Sequence, residues 1–250
     1  MSFPNVIHGT EGEAHNTYTT VRLAPVNGNG QFMVTEDGRV YRFAENAAVA
    51  LVGSKCTQME VPSTDTLEEA VGTMVAGDSV VTGVGSTSSS PAIDELVDGF
   101  FWSITAADLN PALRIKSNTL ITAGSETGTI TPYNALPALI AETSTISYIK
   151  NMWKDVIITL APNTAPLTGV ANVAVAASSF GWLQTRGVCR ILVEDVPVIG
   201  EYCAIGVDDG GAVDSAPDSG GTANVDTQHV GVVINIGSDT TYGLIFLIIE

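Results

Sequence analysis

The hydrophobic positions of this chain form short runs that turn signals interrupt about every ten residues. Segments 31–35 and 39–43 are of this kind, and Asp37-Gly38 lies between them, which predicts a β-hairpin. Similar runs follow to the end of the chain, for example at 113–117 and 244–249. Such regular spacing of short strands is typical of β-sandwiches and small barrels.

Helical patterns are weak and few. Leu67, Ala70 and Met74 are spaced for one face of a short helix over 63–76, and residues 135–143 fit one or two helical turns. No window keeps a helical period beyond about three turns. The sequence therefore predicts an all-β fold of sandwich or barrel modules, with one or two short helices.

Turn clusters and the change in pattern near residue 61 suggest three segments. We expect an N-terminal arm and hairpin region at 1–60, a β-rich domain at 61–165 and a C-terminal barrel or sandwich domain at 166–250. A chain of 250 residues is long enough for cores of this size without disulfides or metals.

The charge balance narrows the choice of partners. The chain has 27 acidic and 10 basic residues, for a net charge of −17. A strongly negative protein repels phosphates, so we expect neither nucleic acid nor an anionic membrane as a partner. We also predict no membrane-spanning segment, and the first residues lack the pattern of a signal peptide.

The chain has more apolar surface than a monomer of this size usually exposes. Only 15% of its residues are charged, and the mean hydropathy is +0.26. Lysine, which often protects strand edges, occurs at four positions and not after Lys154. We therefore expect the C-terminal strands to close into a barrel or to pair in a homo-oligomer, although a monomer coated with Thr and Ser is the alternative.

Residues that usually carry catalysis or bind metals are scarce. The histidines and cysteines are widely spaced: His8, His15, His229, Cys56, Cys189 and Cys203. The chain contains no nucleotide-binding loop, nucleophile elbow or zinc-protease motif. We expect three reduced thiols, no cofactor, no metal and no enzymatic activity.

Two acidic groups leave alternatives open. A loop that is rich in glycine carries Asp208, Asp209, Asp214 and Asp218. This loop lacks the spacing of a calcium loop, so a solvated acidic loop is favoured over a calcium site. A second group, Asp94, Glu95 and Asp98, precedes an aromatic run and is the best candidate for the carboxylates of a carbohydrate-active enzyme.

The C-terminal third shows a characteristic succession of glycines, aromatic residues and strands. The motif Phe180-Gly-Trp-Leu-Gln-Thr-Arg-Gly187 is followed by glycine-containing runs at 197–200, 230–236 and 242–249. Together with residues 98–104 and 114–117, this succession resembles the β-rich structural proteins of tailed phages, which include head decoration proteins. The resemblance covers roughly residues 76–250.

This resemblance implies a virion component that is made in the host cytoplasm and binds the outer surface of the head. It implies a homotrimer whose partner is the major capsid protein, a role as a cement protein that stabilises the shell. A tail, baseplate or fibre module is the alternative, and a carbohydrate-active virion enzyme is less expected. The residues that we expect at subunit interfaces are Phe180, Trp182, Gln184, Arg186, Leu244, Phe246 and Ile248.

Overall fold

A computed structural model describes residues 6–20, 28–60, 69–70, 73–86, 90–105, 110–125, 127–141, 144–161, 163–216, 228–236 and 241–250. The chain divides into two compact units. Unit 1 comprises Met1–Val61 and Met152–Glu250, and unit 2 comprises Pro62–Asn151. The described residues are almost entirely β, with one short helix, which confirms the predicted all-β class.

The described elements, in chain order, are β1 (Val6–Gly9), α1 (Glu11–Ala14), β2 (Thr17–Tyr18), β3 (Phe32–Thr35), β4 (Val40–Glu45), β5 (Lys55–Gln58), β6 (Glu69–Ala70), β7 (Val81–Val84), β8 (Phe100–Ser103), β9 (Leu113–Asn118), β10 (Gly128–Pro132), β11 (Thr145–Ile149), β12 (Ile157–Ile158), β13 (Leu167–Ala171), β14 (Phe180–Leu192), β15 (Tyr202–Ile205), β16 (Val213–Ser215), β17 (His229–Asn235) and β18 (Tyr242–Ile248). No helix among the described residues is long and apolar enough to span a membrane.

Unit 1 is built on one sheet, whose described strands follow the order β1-β3-β4-β14-β18-β17-β15-β16. The short strands β2, β5, β12 and β13 attach to this path through β14 and β5. Predicted segments 1–60 and 166–250 meet in this sheet, because β4 pairs with β14. An isolated bridge between Val193 and Val213 joins β16 to the chain just after β14, and this bridge closes a small barrel.

The 13-residue strand β14 belongs to both halves of unit 1. Its first half pairs with β4, from Phe180 to Arg186, and its second half pairs with β18, from Arg186 to Leu192. Gly187 lies where the partner changes, at φ +91°, a conformation that glycine adopts without strain. Beyond this point the inward residues of β14 enter the barrel core, whose members are Cys56, Leu167, Val170, Cys189, Ile191, Val193, Cys203, Ile205, Val213, Val230, Val233, Ile245 and Leu247.

The hairpin around Asp37-Gly38 is confirmed. Strands β3 and β4 are antiparallel, and Gly38 has φ +82°. The Asp37 carboxylate accepts a hydrogen bond from the Thr35 hydroxyl at 2.7 Å and from the Arg39 backbone N–H at 3.3 Å. These bonds lower the pKa of Asp37, against the opposing effect of desolvation, so the turn is held by an ionised side chain.

Unit 2 contains a six-stranded sheet in the order β6-β11-β8-β9-β10-β7 over the described residues. Its core is formed by large apolar side chains: Met74, Val81, Val84, Leu96, Phe101, Ile115, Ile121, Ile130, Leu136, Ile140, Ile146 and Tyr148. In β9 the inward Ile115 alternates with the exposed Arg114 and Lys116, as expected for a strand with one solvated side.

The predicted helix over 63–76 is wrong where the structure describes it. Glu69–Ala70 is a strand that pairs with β11, and Met74 forms an antiparallel bridge with Ile140. This bridge also excludes a helix over the described part of 135–143. Pairing with distant strands has overridden the local helical spacing. Residues 61–68, 71–72 and 142–143 lie outside the described part of the chain.

Candidate interaction surface

Strand β18 is apolar on both of its sides. Gly243, Ile245 and Leu247 point inward and are buried in the barrel. The outward positions alternate with them, and Leu244, Phe246 and Ile248 are 36%, 40% and 41% exposed. An antiparallel strand with one solvated side normally carries polar residues there, so these outward side chains are unusual for a surface facing only water.

The apolar surface extends onto the neighbouring strands. Val188 of β14 lies opposite Phe246, and on the other side Phe246 lies opposite Val232 of β17, which in turn lies opposite Tyr202 of β15. A continuous apolar row therefore crosses four strands of the barrel. We call this surface the barrel face and define it by Val188, Tyr202, Val232, Ile234, Tyr242, Leu244, Phe246 and Ile248.

Two arginines border the barrel face. Arg186 and Arg190 flank Val188 on β14 and lie opposite Ile248 and Leu244. The Arg190 guanidinium stacks on the Tyr242 ring, with 3.9 Å between its central carbon and the ring centroid. Neither arginine forms a salt bridge with any carboxylate in the described part of the chain. The face thus combines apolar side chains with cations that an acidic partner surface would complement.

A short loop adds apolar residues beside the face. Val196, Val198 and Ile199 follow β14 and are exposed. The loop is tied to β17, because the Gly200 N–H donates to the Val233 carbonyl at 2.8 Å. Contiguous exposed apolar surface of this kind marks interaction sites more often than ordinary monomer surface.

The seven predicted interface residues separate into two groups. Arg186, Leu244, Phe246 and Ile248 are exposed on or beside the barrel face. Phe180, Trp182 and Gln184 lie in the first half of β14, where the strand is covered by unit 1 itself. A role in subunit contacts stays a prediction for all seven, and the four exposed residues are the ones positioned to make such contacts.

Trp182 is only 2% exposed because it packs in an aromatic cluster. Its ring meets Phe43 edge-on with centroids 5.1 Å apart, and Phe180 stacks on the same Phe43 at 5.9 Å. Val188 lies in the segment Phe180–Leu192, which the sequence favours for subunit contacts, but Val232 and Tyr202 were not predicted, because their proximity to Phe246 depends on strand register. One sequence signal could have pointed to these residues. The strands β14, β15, β17 and β18 lie close together in the chain, and each carries at least one apolar residue at a position that faces outward.

Gln184 is fully buried and organises a polar network. Its Oε1 accepts from Asn172 Nδ2 at 2.8 Å and from the Tyr41 hydroxyl at 3.4 Å. Its Nε2 donates to the carbonyls of Arg186 and Val188, each at 3.0 Å. The side chain thus takes the place of a neighbouring strand where β14 changes partners.

The acidic loop is held by Glu194, which is buried. Its carboxylate accepts hydrogen bonds from the backbone N–H groups of Val207, Asp208 and Asp209 at 3.3, 2.9 and 3.0 Å. Burial raises the pKa of Asp214, and the neighbouring carboxylates contribute to the same shift. No group of three or more His, Cys, Asp or Glu in the described part of the chain is arranged to hold a metal, and Asp218 lies outside that part.

The carboxylates considered for carbohydrate chemistry all have partners within unit 2. Asp98 accepts from the Tyr133 hydroxyl at 2.8 Å and forms a 2.8 Å salt bridge with Arg114. Glu95 accepts from the Ala92 N–H at 2.7 Å, and Asp94 accepts from a backbone N–H of β9 at 3.4 Å. These contacts fix the turn that precedes β8.

The cysteines are buried and free. Burial raises the pKa of Cys189 and of Cys203 to about 12 and holds that of Cys56 well above its usual value, so all three remain protonated thiols at neutral pH. His229 lies at the edge of the barrel face, where its ring meets Tyr202 edge-on at 5.5 Å.

Comparisons of the chain with protein-family models, with curated proteins and with solved structures find no match.

Proposed function

We propose that this chain is a non-catalytic virion structural protein that decorates and stabilises a capsid shell. The barrel face is the observation that supports the proposal. Its outward residues on β18 are all aromatic or aliphatic, from Tyr242 through Leu244 and Phe246 to Ile248. In a permanent assembly, burial of such an apolar face against a neighbouring subunit stabilises the contact.

The proposed assembly is a homo-oligomer, as the sequence resemblance implies, with the trimer as the expected state. Each subunit contributes the barrel face to contacts with a second copy or with the major capsid protein. The exposed arginines Arg186 and Arg190 favour an acidic partner surface, which another copy of this strongly acidic chain provides.

The charge of the chain supports a position on the outside of the head. A subunit with a net charge of −17 is repelled by packaged DNA and not by bulk solvent. In a tail, baseplate or fibre the same face would contact other subunits, and pelleting with isolated heads or isolated tails separates these locations.

The test has two parts. The mass of the purified protein is measured by sedimentation velocity, and the protein is then mixed with empty phage heads and with isolated tails before pelleting. We expect an oligomer that pellets with heads and not with tails. Pelleting with tails alone would identify the protein as a tail component, and a monomer that pellets with neither would refute a virion role.

A matched pair of variants links the result to the barrel face. Leu244→Lys places a charge in the face, whereas Leu120→Lys places one at an exposed leucine of unit 2. We expect Leu244→Lys to lose both self-association and pelleting, and Leu120→Lys to retain them. Equal behaviour of the two variants would show that the barrel face is not the contact surface.

A further inference from the structure

A cavity of about 190 Å³ lies along one edge of β14, on the side that faces away from β18. Its lining is formed by His15, Arg39, Ser54, Asn172, Gln184, Val188, Cys189 and Arg190. The cavity exists because β13 pairs with β14 only at Leu183 and Gln184, so the following stretch of that edge has no neighbouring strand. A strand edge of this kind exposes backbone groups.

The direction of these backbone groups follows from two hydrogen bonds. The Val188 carbonyl accepts from Gln184, and the Leu192 N–H donates to the Ser54 carbonyl at 2.9 Å. Because a strand has a period of two, the N–H and C=O groups of Val188, Arg190 and Leu192 all point away from β18. The N–H groups of Val188 and Arg190 therefore point toward the cavity.

The backbone carbonyl groups at this edge of β14 already accept hydrogen bonds from side chains, whereas two of its backbone N–H groups have no acceptor in the described part of the chain. Gln184 Nε2 covers the carbonyls of Arg186 and Val188, and the Cys189 thiol lies 3.6 Å from the Arg190 carbonyl. The strand pairings of β14 give the Val188 and Arg190 N–H groups no partner among the described residues. The edge therefore offers hydrogen-bond donors without competing acceptors.

Ser54 supplies an independent observation. This residue is 6% exposed, lines the cavity, and its hydroxyl forms no hydrogen bond with a described residue. Its backbone is fixed at φ +64°, where serine is rare, by bonds to Ala171 and Leu192. The residue is therefore almost completely buried, yet its hydroxyl is open to the cavity and available to donate a hydrogen bond to a ligand there.

The electrostatics of the lining also favour an anion. Among the described lining residues there is no carboxylate, in a chain with 27 acidic residues. Arg39 contributes a guanidinium, whose charge is partly offset by Glu11 at 2.8 Å and Asp37 at 2.6 Å. The Cys189 thiol stays neutral because burial raises its pKa to about 12.

We propose that this cavity binds a compact oxyanion, such as inorganic phosphate or a small carboxylate. The N–H groups of Val188 and Arg190 and the Ser54 hydroxyl donate to its oxygens, and Arg39 and His15 lie beside it. Backbone N–H groups that converge on a concavity bind anions in this way. The volume is smaller than the roughly 300–1,000 Å³ of pockets for drug-sized ligands, which limits the ligand to a few heavy atoms.

Amide chemical shifts test the proposal directly. The ¹⁵N-labelled protein is titrated with phosphate, with sulfate and with acetate, and with sodium chloride at matched ionic strength. We expect saturating shifts at the Val188 and Arg190 amides with at least one oxyanion and much smaller shifts at Gly187 and Cys189, whose N–H groups face β18. Preference for phosphate and sulfate over acetate would identify a tetrahedral anion, and the reverse would identify a carboxylate.

A matched pair of variants tests the role of the hydroxyl. Ser54→Gly removes it at a φ that glycine accepts, and Ser178→Gly makes the same change at φ +52° outside the cavity. We expect about tenfold weaker binding in the first variant and unchanged binding in the second. Shifts that do not saturate, shifts that chloride reproduces, or equal affinities of Ser54→Gly and the wild type would overturn the proposal.

Discussion

Strands β9 and β18 each place a buried isoleucine between two exposed residues, yet the exposed residues differ in character. In β9 the outward positions next to Ile115 are Arg114 and Lys116. In β18 the outward positions next to Ile245 are Leu244 and Phe246. Both inward isoleucines are fully buried. The two strands therefore make equivalent contributions to a core, and only their outer surfaces tell them apart.

A strand that binds a partner can be recognised in a single subunit by its second apolar side. Folding requires one apolar side of a strand, and β9 has no more than that. The second apolar side of β18 does not pack in the barrel core. The free energy gained by removing this side from water is therefore available for association with a partner. Arg114 also makes contacts of its own, with Asp98 and with the Tyr133 ring at 4.8 Å, which favour a solvated surface.

The largest effect is expected at the inward positions, where the two strands should behave alike. Ile115→Ala and Ile245→Ala each leave a cavity in a core and should lower the free energy of unfolding by about 2–5 kcal/mol. Urea denaturation of each variant gives the values. A loss below about 1 kcal/mol in Ile245→Ala alone would show that the barrel is less tightly packed than unit 2.

The next largest effect is expected on self-association, where substitutions at outward positions of β18 and β9 should differ. Phe246→Ala should weaken self-association by about 2 kcal/mol or more, since buried aromatic residues often dominate interfaces. Lys116→Ala, its counterpart on β9, should leave association unchanged. Sedimentation equilibrium over a concentration series measures both. Equal association constants for the two variants would show that the outward side of β18 contributes no more to self-association than that of β9.

A smaller effect is expected where β14 passes between its two partners. Gln184→Ala uncovers the buried carbonyl of Val188 and leaves Asn172 without its acceptor, which should cost about 1–3 kcal/mol of folding stability. Asn163→Ala, at a half-buried asparagine whose side chain donates to the Ala165 carbonyl at 3.2 Å, is the control and should cost less. Chemical denaturation distinguishes the two.

The smallest effect concerns pH. The pKa of Asp214 is raised in the folded state, chiefly by burial, so the folded state holds its proton at pH values where the unfolded chain has lost it. Stability therefore falls as pH rises from the ordinary carboxyl pKa of 3.8 through the raised value. Asp214→Asn should remove this loss and gain about 0.5 kcal/mol or less at pH 7, because solvent screens the site. Denaturation at pH 3 and pH 7 measures the change, and a variant that is less stable than the wild type at pH 7 would contradict it.

The sequence predicts the local parts of this fold well. The Asp37-Gly38 turn fixes the β3–β4 hairpin because its information lies within a few residues. The short helix α1 has an equally local signal, the capping box of Thr10 and Glu13, although the predicted helices do not include it. The helix expected over 63–76 failed for the opposite reason, since Met74 is paired with Ile140, far along the chain.

The candidate sites depend on long-range register and were only partly predictable. The apolar run at 244–249 indicates a strand, and its alternation identifies two sides, but the row that joins Phe246 to Val188 and Val232 requires the sheet order. Trp182 shows the same limit, because an aromatic residue near glycines has no sequence mark that separates core from interface. The cavity beside Ser54 arises from a strand that stops pairing, which no local pattern encodes.

The partnership of β4 with β14 has a consequence for how the chain is made. Tyr41 and Gln184 are 143 positions apart. The apolar side of the N-terminal hairpin therefore stays exposed until β14 has been synthesised and most of the polypeptide has left the ribosome. At about 5–20 residues per second this delay is on the order of ten seconds. Unit 2 is completed within that interval, and the nascent hairpin is therefore the segment that a holding chaperone would protect first.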